Sequence, residues 1–276
     1  MDITVCLDHA AALAGEAGRR ILAVYDRGGG PVVTKPDASP LTAADTAAHR
    51  CLSAGLRARY PALPVLSEEG AGVPYAVRRQ WRRYWLVDPL DGTRQFVNRN
   101  GEFTVNVALI EDGEPILGVV FAPVTGVCYA GARGVGAFKQ TVNGERQAIR
   151  VANRAAVPLR VMVSRSHGGA ALRDYLVWLR TAAGELTCRP MGSALKLCLV
   201  AEGAADLYPR LGPTCEWDTA AAQAVVEAAG GRVVDDGLNV LRYNTKENIL
   251  NPFFYVIGDV AFDWDSVLSK VPGLRG

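Results

Sequence analysis

The chain has 276 residues, room for one large domain or two intimate ones at about 150 residues per domain. Hydrophobic residues make up 49% and charged residues 21%, which excludes a mostly disordered or collagen-like chain. Thirty Lys and Arg against 28 Asp and Glu leave +2, too little for the global field of many nucleic-acid or membrane-surface binders, so any charge argument is local.

Val5, Ala12, Leu13, Ala17, Ile21, Leu22 and Tyr25 stand at helical spacing and predict an amphipathic helix over residues 4–25, ended by Gly28-Gly29-Gly30-Pro31. A short β-like run covers residues 31–34. The Ala-rich stretch 42–60 predicts a second helix closed by Pro61, with Asp45 in its first turn. Two apolar runs, 63–66 and 84–87, read as buried strands that empty into acidic loops at Glu68-Glu69 and at Asp88-Pro89-Leu90-Asp91-Gly92. Residues 103–110, 116–121 and 126–130 continue as strands of a meandering antiparallel sheet, turning at Asp112-Gly113 and at 123–125. From Val161 the pattern alternates: strand 161–164, helix 171–181, strand 185–188, helix 194–202, strand 205–208, helix 219–229. The expectation is an α+β unit over 1–157 and an α/β unit over 158–276, with the seam near 152–158.

Six cysteines lie scattered without a C-x-x-C pair, which predicts reduced, structural thiols rather than a zinc ribbon or a disulfide scaffold. Acidic residues Asp2, Asp8 and Glu16 precede Arg19-Arg20, and no apolar run approaches about 18 residues, so neither a signal peptide nor a transmembrane span is expected. A cytoplasmic protein follows, free or peripheral to the inner face of the membrane.

Asp88 and Asp91 stand three apart after an apolar run, with Pro89 and Gly92 suggesting a tight, exposed turn that lets both carboxylates face one point. The competing reading is that they bond only their own backbone amides. Glu68-Glu69 either form a solvated loop or, at a neighbouring strand end, join them. Carboxylates so crowded repel unless a cation sits between them, and oxygen ligands without a His or Cys cluster favour Mg²⁺ over zinc or copper. Asp218, in Trp217-Asp218-Thr219-Ala220-Ala221-Ala222, opens a helix as a candidate N-cap, and one of its oxygens can cap while the other binds metal. Gly192-Ser193 at a helix start offers amides and a hydroxyl to a phosphate, with Lys196 one turn in. The run Val77-Arg78-Arg79-Gln80-Trp81-Arg82-Arg83 reads as a solvated arginine-rich segment, with nucleic-acid binding the lesser reading.

Asp45, then Glu68-Glu69, then Asp88-Pro89-Leu90-Asp91-Gly92-Thr93, then Trp217-Asp218-Thr219-Ala220-Ala221 resemble, in that order, the lithium-sensitive, magnesium-dependent phosphatase superfamily of inositol monophosphatases and bisphosphate nucleotidases. The stretches 84–93 and 100–106, Ser164-Arg165-Ser166-His167, Gly192-Ser193 with Leu195-Lys196, and 207–214 resemble its bacterial branch. That branch hydrolyses 3′-phosphoadenosine 5′-phosphate, a by-product of sulfate assimilation. The resemblance implies a layered αβαβα sandwich and a phosphomonoesterase that makes AMP and phosphate, with the 5′-phosphosulfate as a further substrate; inositol monophosphatase or fructose-bisphosphatase activity is the alternative. It implies two or three Mg²⁺ ions on Glu68, Asp88, the Leu90 carbonyl, Asp91 and Asp218, with Asp88 bridging and Glu69 in a lesser role. Glu68 and the Thr93–Asp45 pair would ready the attacking water, and Gly92, Thr93, His167, Ser193, Lys196, Arg210 and Asp218 would hold substrate. A small phosphorylated nucleotide, not nucleic acid, is the expected partner, and a homodimer is frequent in the superfamily. The chain departs from the family pattern at Ala222, where Gly is usual, at Ala194, where a Ser is frequent, and at Glu216, whose acid resembles the inositol phosphatases, in which that position contacts a sugar hydroxyl.

Overall fold

Asp2 accepts the Thr4 amide at 2.9 Å and starts α1 (Ile3–Tyr25), and Thr42 with Asp45 forms a capping box that starts α2 (Ala43–Arg59). This computed structural model describes residues 1–30, 32–34, 40–70, 72–153, 157–166 and 169–268. The buried stripe of α1 is Leu7, Ala10, Ala14, Ala17 and Ile21, whereas Val5 and Ala12, expected inside, face outward. Alanines and Gly18 carry the contact because the helix lies close to the sheet: a Cβ on Gly18 would stand 2.4 Å from the Phe121 ring.

Before α2 come β1 (Val32–Thr34) and β2 (Pro40–Thr42), paired antiparallel. The large sheet then takes β3 (Val65–Ser67), β4 (Arg83–Asp91), β5 (Thr104–Glu111), β6 (Glu114–Ala122), β7 (Val127–Ala132), β8 (Gly136–Gln140) and β9 (Arg146–Ile149), in that spatial order. It is antiparallel except for β3, which runs parallel to β4 and so departs from the simple meander expected. Short helices α3 (Tyr75–Arg78) and α4 (Thr93–Val97) flank β4. The second sheet has the order β11 (Leu186–Met191), β10 (Leu159–Ser164), β12 (Leu207–Arg210), β14 (Phe254–Ile257), β13 (Arg232–Asp235), parallel on one side and antiparallel on the other. Its helices are α5 (Ala170–Ala183), α6 (Leu195–Ala201), α7 (Glu216–Ala228) and α8 (Trp264–Leu268).

The central strands β4, β5, β6 and β14 are buried on both faces, which is why they read as continuous apolar runs rather than alternating ones. In β4, Trp85 and Val87 face α1 and α2, while Tyr84 and Leu86 face α7. In β14, Phe254 and Val256 join the α6–α7 layer, and Tyr255 and Ile257 pack with Tyr175 of α5 and Trp264 of α8. The layers therefore run α1–α2, large sheet, α6–α7, small sheet, α5–α8: the expected αβαβα sandwich.

The arginine run is solvated at Arg79, Gln80 and Arg82, as expected, but not throughout. Arg78 is buried and donates to Asn244 Oδ1 and to the carbonyl oxygens of Lys246 and Glu247, while Arg82 forks onto Asp112 and Arg83 pairs with Glu111.

Helix α7 sits on the large sheet through alanines over glycines. A Cβ on Gly118 would lie 1.9 Å from the Ala221 carbonyl oxygen, and one on Gly131 would lie 2.9 Å from Val225 Cα. Gly118→Ala must push the helix off the sheet, and we expect it to destabilise the fold by about 1–3 kcal/mol. Thermal denaturation checks this, and an unchanged melting temperature would contradict the close seating of α7.

Candidate active site

Strand β4 does not end where its apolar run ends. Instead of a tight exposed turn, Asp88-Pro89-Leu90-Asp91 continues the strand as a bulge: Asp88 pairs with Asn106 and Asp91 with Thr104, with the register shifted between. Pro89 is accommodated at the bulge, where a ladder donor is not needed. The Leu90 amide donates to Asp88 Oδ1 at 3.0 Å, and the Leu90 side chain is anchored in the core. Gly92, in the left-handed region at φ 89°, ends the strand and starts α4. A side chain there would crowd the Glu102 carbonyl oxygen at 3.2 Å and Ser193 Cβ at 3.4 Å.

The third acid arrives from the other side of the sandwich. Cys215, not Asp218, is the N-cap of α7, and Asp218 is the third helical residue, whose Oδ2 accepts the Cys215 amide at 2.9 Å. The capping half of the expectation holds in this altered form: one Asp218 oxygen closes the capping box. Asn251, which the sequence did not single out, braces the same turn by donating to the Cys215 carbonyl at 2.8 Å and Thr219 Oγ1 at 3.1 Å.

Asp88, Asp91 and Asp218 thus present carboxylate oxygens within 4.8 Å of one another. Glu68, on the turn after β3, comes within hydrogen-bonding reach of Asp88 and lines the same cleft of about 240 Å³. Burial first, then the neighbouring acids, hold the Asp88 and Asp218 carboxyls well above the usual carboxylate range. Asp91 is raised less: burial dominates, but the Lys196 ammonium, the Ala194 amide at 2.5 Å, and Asn106 and Thr104 at 3.4 Å favour its charge. The sequence patterns give Asn106 and Thr104 no role of their own; the signal that marks them is polar residues fully buried in an otherwise apolar strand. This all-oxygen, buried and mutually repelling donor set fits a hard divalent cation.

Beside the acids, Thr93 Oγ1 lies 3.4 Å from Asp45 Oδ1 and 3.3 Å from the Leu90 carbonyl. Asp45 is buried, which raises its pKa, and its Oδ2 accepts both the Thr42 amide at 2.8 Å and the Thr42 hydroxyl at 2.6 Å, leaving Oδ1 for Thr93. Gly92, Thr93, Ser193, Lys196, Arg210 and Asp218 all line the cleft; His167 lies outside the described residues. Lys196 and Arg210 are buried cations. Desolvation pushes the Lys196 ammonium down to about 8 against the pull of Asp91. Arg210 donates to the Pro213 carbonyl at 2.8 Å, while its Nε is buried with no protein acceptor.

Two expectations need correcting. Two of the amides before α6 are engaged within the protein and not free for a phosphate: Gly192 donates to Glu102 and Ala194 to Asp91. Glu216 does not face the cleft; it is buried, its Oε2 accepts the Asn244 amide at 2.8 Å, and burial pushes it up to about 7.

The unfolded chain releases carboxylic protons near pH 4, whereas the metal-free fold holds those of Asp88 and Asp218 to higher pH. The stability this contributes is full below about pH 4 and is lost as pH rises through the raised values. We expect the melting temperature in EDTA to fall as pH rises above the ordinary carboxylate range of about 4, Mg²⁺ to restore it, and Asp88→Asn to flatten the fall. A metal-free melting curve insensitive to pH and to this substitution would contradict the crowding.

Residues 2–252 match the model of the inositol monophosphatase family. The chain is 53% identical to the 3′(2′),5′-bisphosphate nucleotidase CysQ of Escherichia coli K12 over 252 residues, 91% of this chain and 98% of that protein. It is 34% identical to CysQ of Haemophilus influenzae, over 95% and 96% of the two chains. Among solved structures, CysQ from Bacteroides thetaiotaomicron superposes with TM-score 0.79 at 41% identity, covering 91% of this chain and 96% of that one. An inositol monophosphatase from Anabaena gives TM-score 0.76 at 25% identity, covering 99% and 98%. The buried acids at the bulge and the layered fold around them agree with that match, and the chain belongs to the inositol monophosphatase family.

Proposed function

We propose that the chain is a Mg²⁺-dependent 3′(2′),5′-bisphosphate nucleotidase that hydrolyses 3′-phosphoadenosine 5′-phosphate to AMP and phosphate, and 3′-phosphoadenosine 5′-phosphosulfate in the same way. One observation carries this reading: a single cleft sets three crowded carboxylates beside two buried cations, Lys196 and Arg210, close enough to repel each other. A ligand with two phosphates suits such a cleft, one phosphate at the metal end and one at the cations. Identity of 53% to a bisphosphate nucleotidase supports it.

In this reading residues 1–157 supply Glu68, Asp88, Leu90 and Asp91, and residues 158–276 supply Asp218 and the substrate cations. Glu68, Asp88, the Leu90 carbonyl, Asp91 and Asp218 would hold the Mg²⁺ ions, with Asp88 central to the set and Glu69 in a lesser role. Bound there, the cations ease deprotonation of water and offset charge on the phosphoryl and leaving oxygens. Thr93 Oγ1 gives its hydrogen to Asp45 Oδ1 and turns a lone pair to the attacking water, so Asp45, Thr93 and Glu68 orient the nucleophile and take its proton. Gly92 leaves room for the scissile phosphate, and Ser193, Lys196, Arg210 and His167 hold the nucleotide, the orphaned Arg210 Nε donating to it. Glu216 is bonded to Asn244, so the sugar-phosphate alternatives lose the residue that favoured them. Among the described residues no helix is long and apolar enough to cross a membrane, and we place the enzyme in the cytoplasm.

Phosphate release from 3′-phosphoadenosine 5′-phosphate, inositol 1-phosphate and fructose 1,6-bisphosphate, with and without Li⁺, tests the substrate. We expect the nucleotide to have the highest kcat/KM and Li⁺ to inhibit; preference for a sugar phosphate would overturn the assignment. Asp88→Asn should lower kcat at saturating Mg²⁺ by at least about a hundredfold while the protein stays folded. Near wild-type turnover of that variant would remove Asp88 from the metal site.

A further inference from the structure

Glu102 lies outside the ligand set just described, on the segment between α4 and β5, yet its carboxylate is a hub. Its Oε2 accepts Arg165 Nε at 2.7 Å and its Oε1 accepts an Arg165 terminal nitrogen at 2.6 Å, a bidentate fork. The same Oε2 accepts the Gly192 amide at 2.7 Å. Arg165 also donates to the Pro190 carbonyl at 3.1 Å, and the neighbouring Gln95 donates to Ser166 Oγ at 2.6 Å. Glu102 and Gln95 of the first half thereby fasten the ends of β10 and β11 in the second.

The turn held in this way is the one that carries the substrate residues. Ser193 adopts a left-handed φ of 49°, a conformation a serine keeps only when its surroundings impose it. Its surroundings do: the amide before it is held by Glu102, and the amide after it by Asp91. Gly192 presses directly on Glu102, since a Cβ there would stand 2.7 Å from the Glu102 carbonyl oxygen. Lys196 Nζ in turn donates to the Ser193 carbonyl.

We infer that Glu102 is a positioning residue for substrate recognition, fixing through Gly192 the Ser193–Lys196 end of the cleft that takes the second phosphate. This rests on the nucleotidase reading above. Because Asp91 holds the other side of the same turn, the metal end keeps its own anchor when Glu102 is lost. The effect of Glu102 is therefore on binding of the second phosphate and not on chemistry at the first.

The test compares adenosine 3′,5′-bisphosphate with adenosine 3′-phosphate, which lacks the second phosphate, in wild type, Glu102→Ala and Glu102→Gln. Glu102→Ala should raise KM for the bisphosphate at least about tenfold with kcat within about threefold, and leave the KM for adenosine 3′-phosphate within about threefold. Glu102→Gln, which keeps an oxygen for the Gly192 amide, should recover most of the loss. Equal losses on both substrates, a fall in kcat at constant KM, or no rescue by Gln would overturn the inference. If Glu102→Ala fails to fold, Glu102→Gln with Arg165→Ala carries the test: Arg165→Ala should raise KM for the bisphosphate alone, and equal effects on both substrates would again overturn it. A wild type that gains nothing from the second phosphate would instead overturn the nucleotidase reading itself.

Discussion

Mutual repulsion among Asp88, Asp91 and Asp218 is the constraint on which the rest of this structure turns. Their oxygens lie within 4.8 Å of one another, in a cleft shared with Glu68, and such crowding of buried like charge is tolerated in a folded protein only with protons or cations to offset it. The fold pushes the acids together rather than letting them spread. A bulge in β4 aims two of them from one strand, and the close seating of α7 on Gly118 and Gly131 brings the third from the opposite layer. The site is therefore held by backbone packing and not only by the acids themselves.

The protein's own partners offset only part of the charge. Asp91 has the Ala194 amide, Asn106, Thr104 and the field of Lys196, and it is perturbed least of the three. Asp88 accepts the Leu90 amide and Asp218 the Cys215 amide, and both are held strongly toward the protonated form. Asp91 also anchors the turn before α6 through the Ala194 amide, and in the proposed reading Asp88 and Asp218 keep oxygens for metal. Lys196 and Arg210 then give the same cleft an opposite polarity a short distance away.

The order of acids along the chain, the two-sheet change of pattern and the cleft residues were legible because each leaves a local mark: acids after apolar runs, a helix opened by Trp217-Asp218, Gly before Ser193. What was not legible depends on partners distant in sequence. The phase of α1 escaped because alanines, not leucines, make its closest contacts with the sheet. Strand β4 was cut short because Pro89 reads as a breaker, and only its position at a bulge beside β5 makes it tolerable. Arg78 looked solvated because its acceptors, Asn244, Lys246 and Glu247, come more than 160 residues later. Glu216 looked like a substrate contact until the same distant segment claimed it. Glu102 carries no signature of its own, since its importance lies in Arg165 and Gly192.

The central claim is that the acid cluster is a metal centre, and the direct measurement is anomalous scattering from crystals of the protein grown with Mn²⁺ in place of Mg²⁺. The account predicts two strong peaks in the cleft, both within ligand distance of Asp88, one also bound by Glu68 and the Leu90 carbonyl and the other by Asp91 and Asp218, at about 2.2 Å. A cleft without anomalous density at these carboxylates, in crystals soaked at millimolar Mn²⁺ and neutral pH, would contradict it.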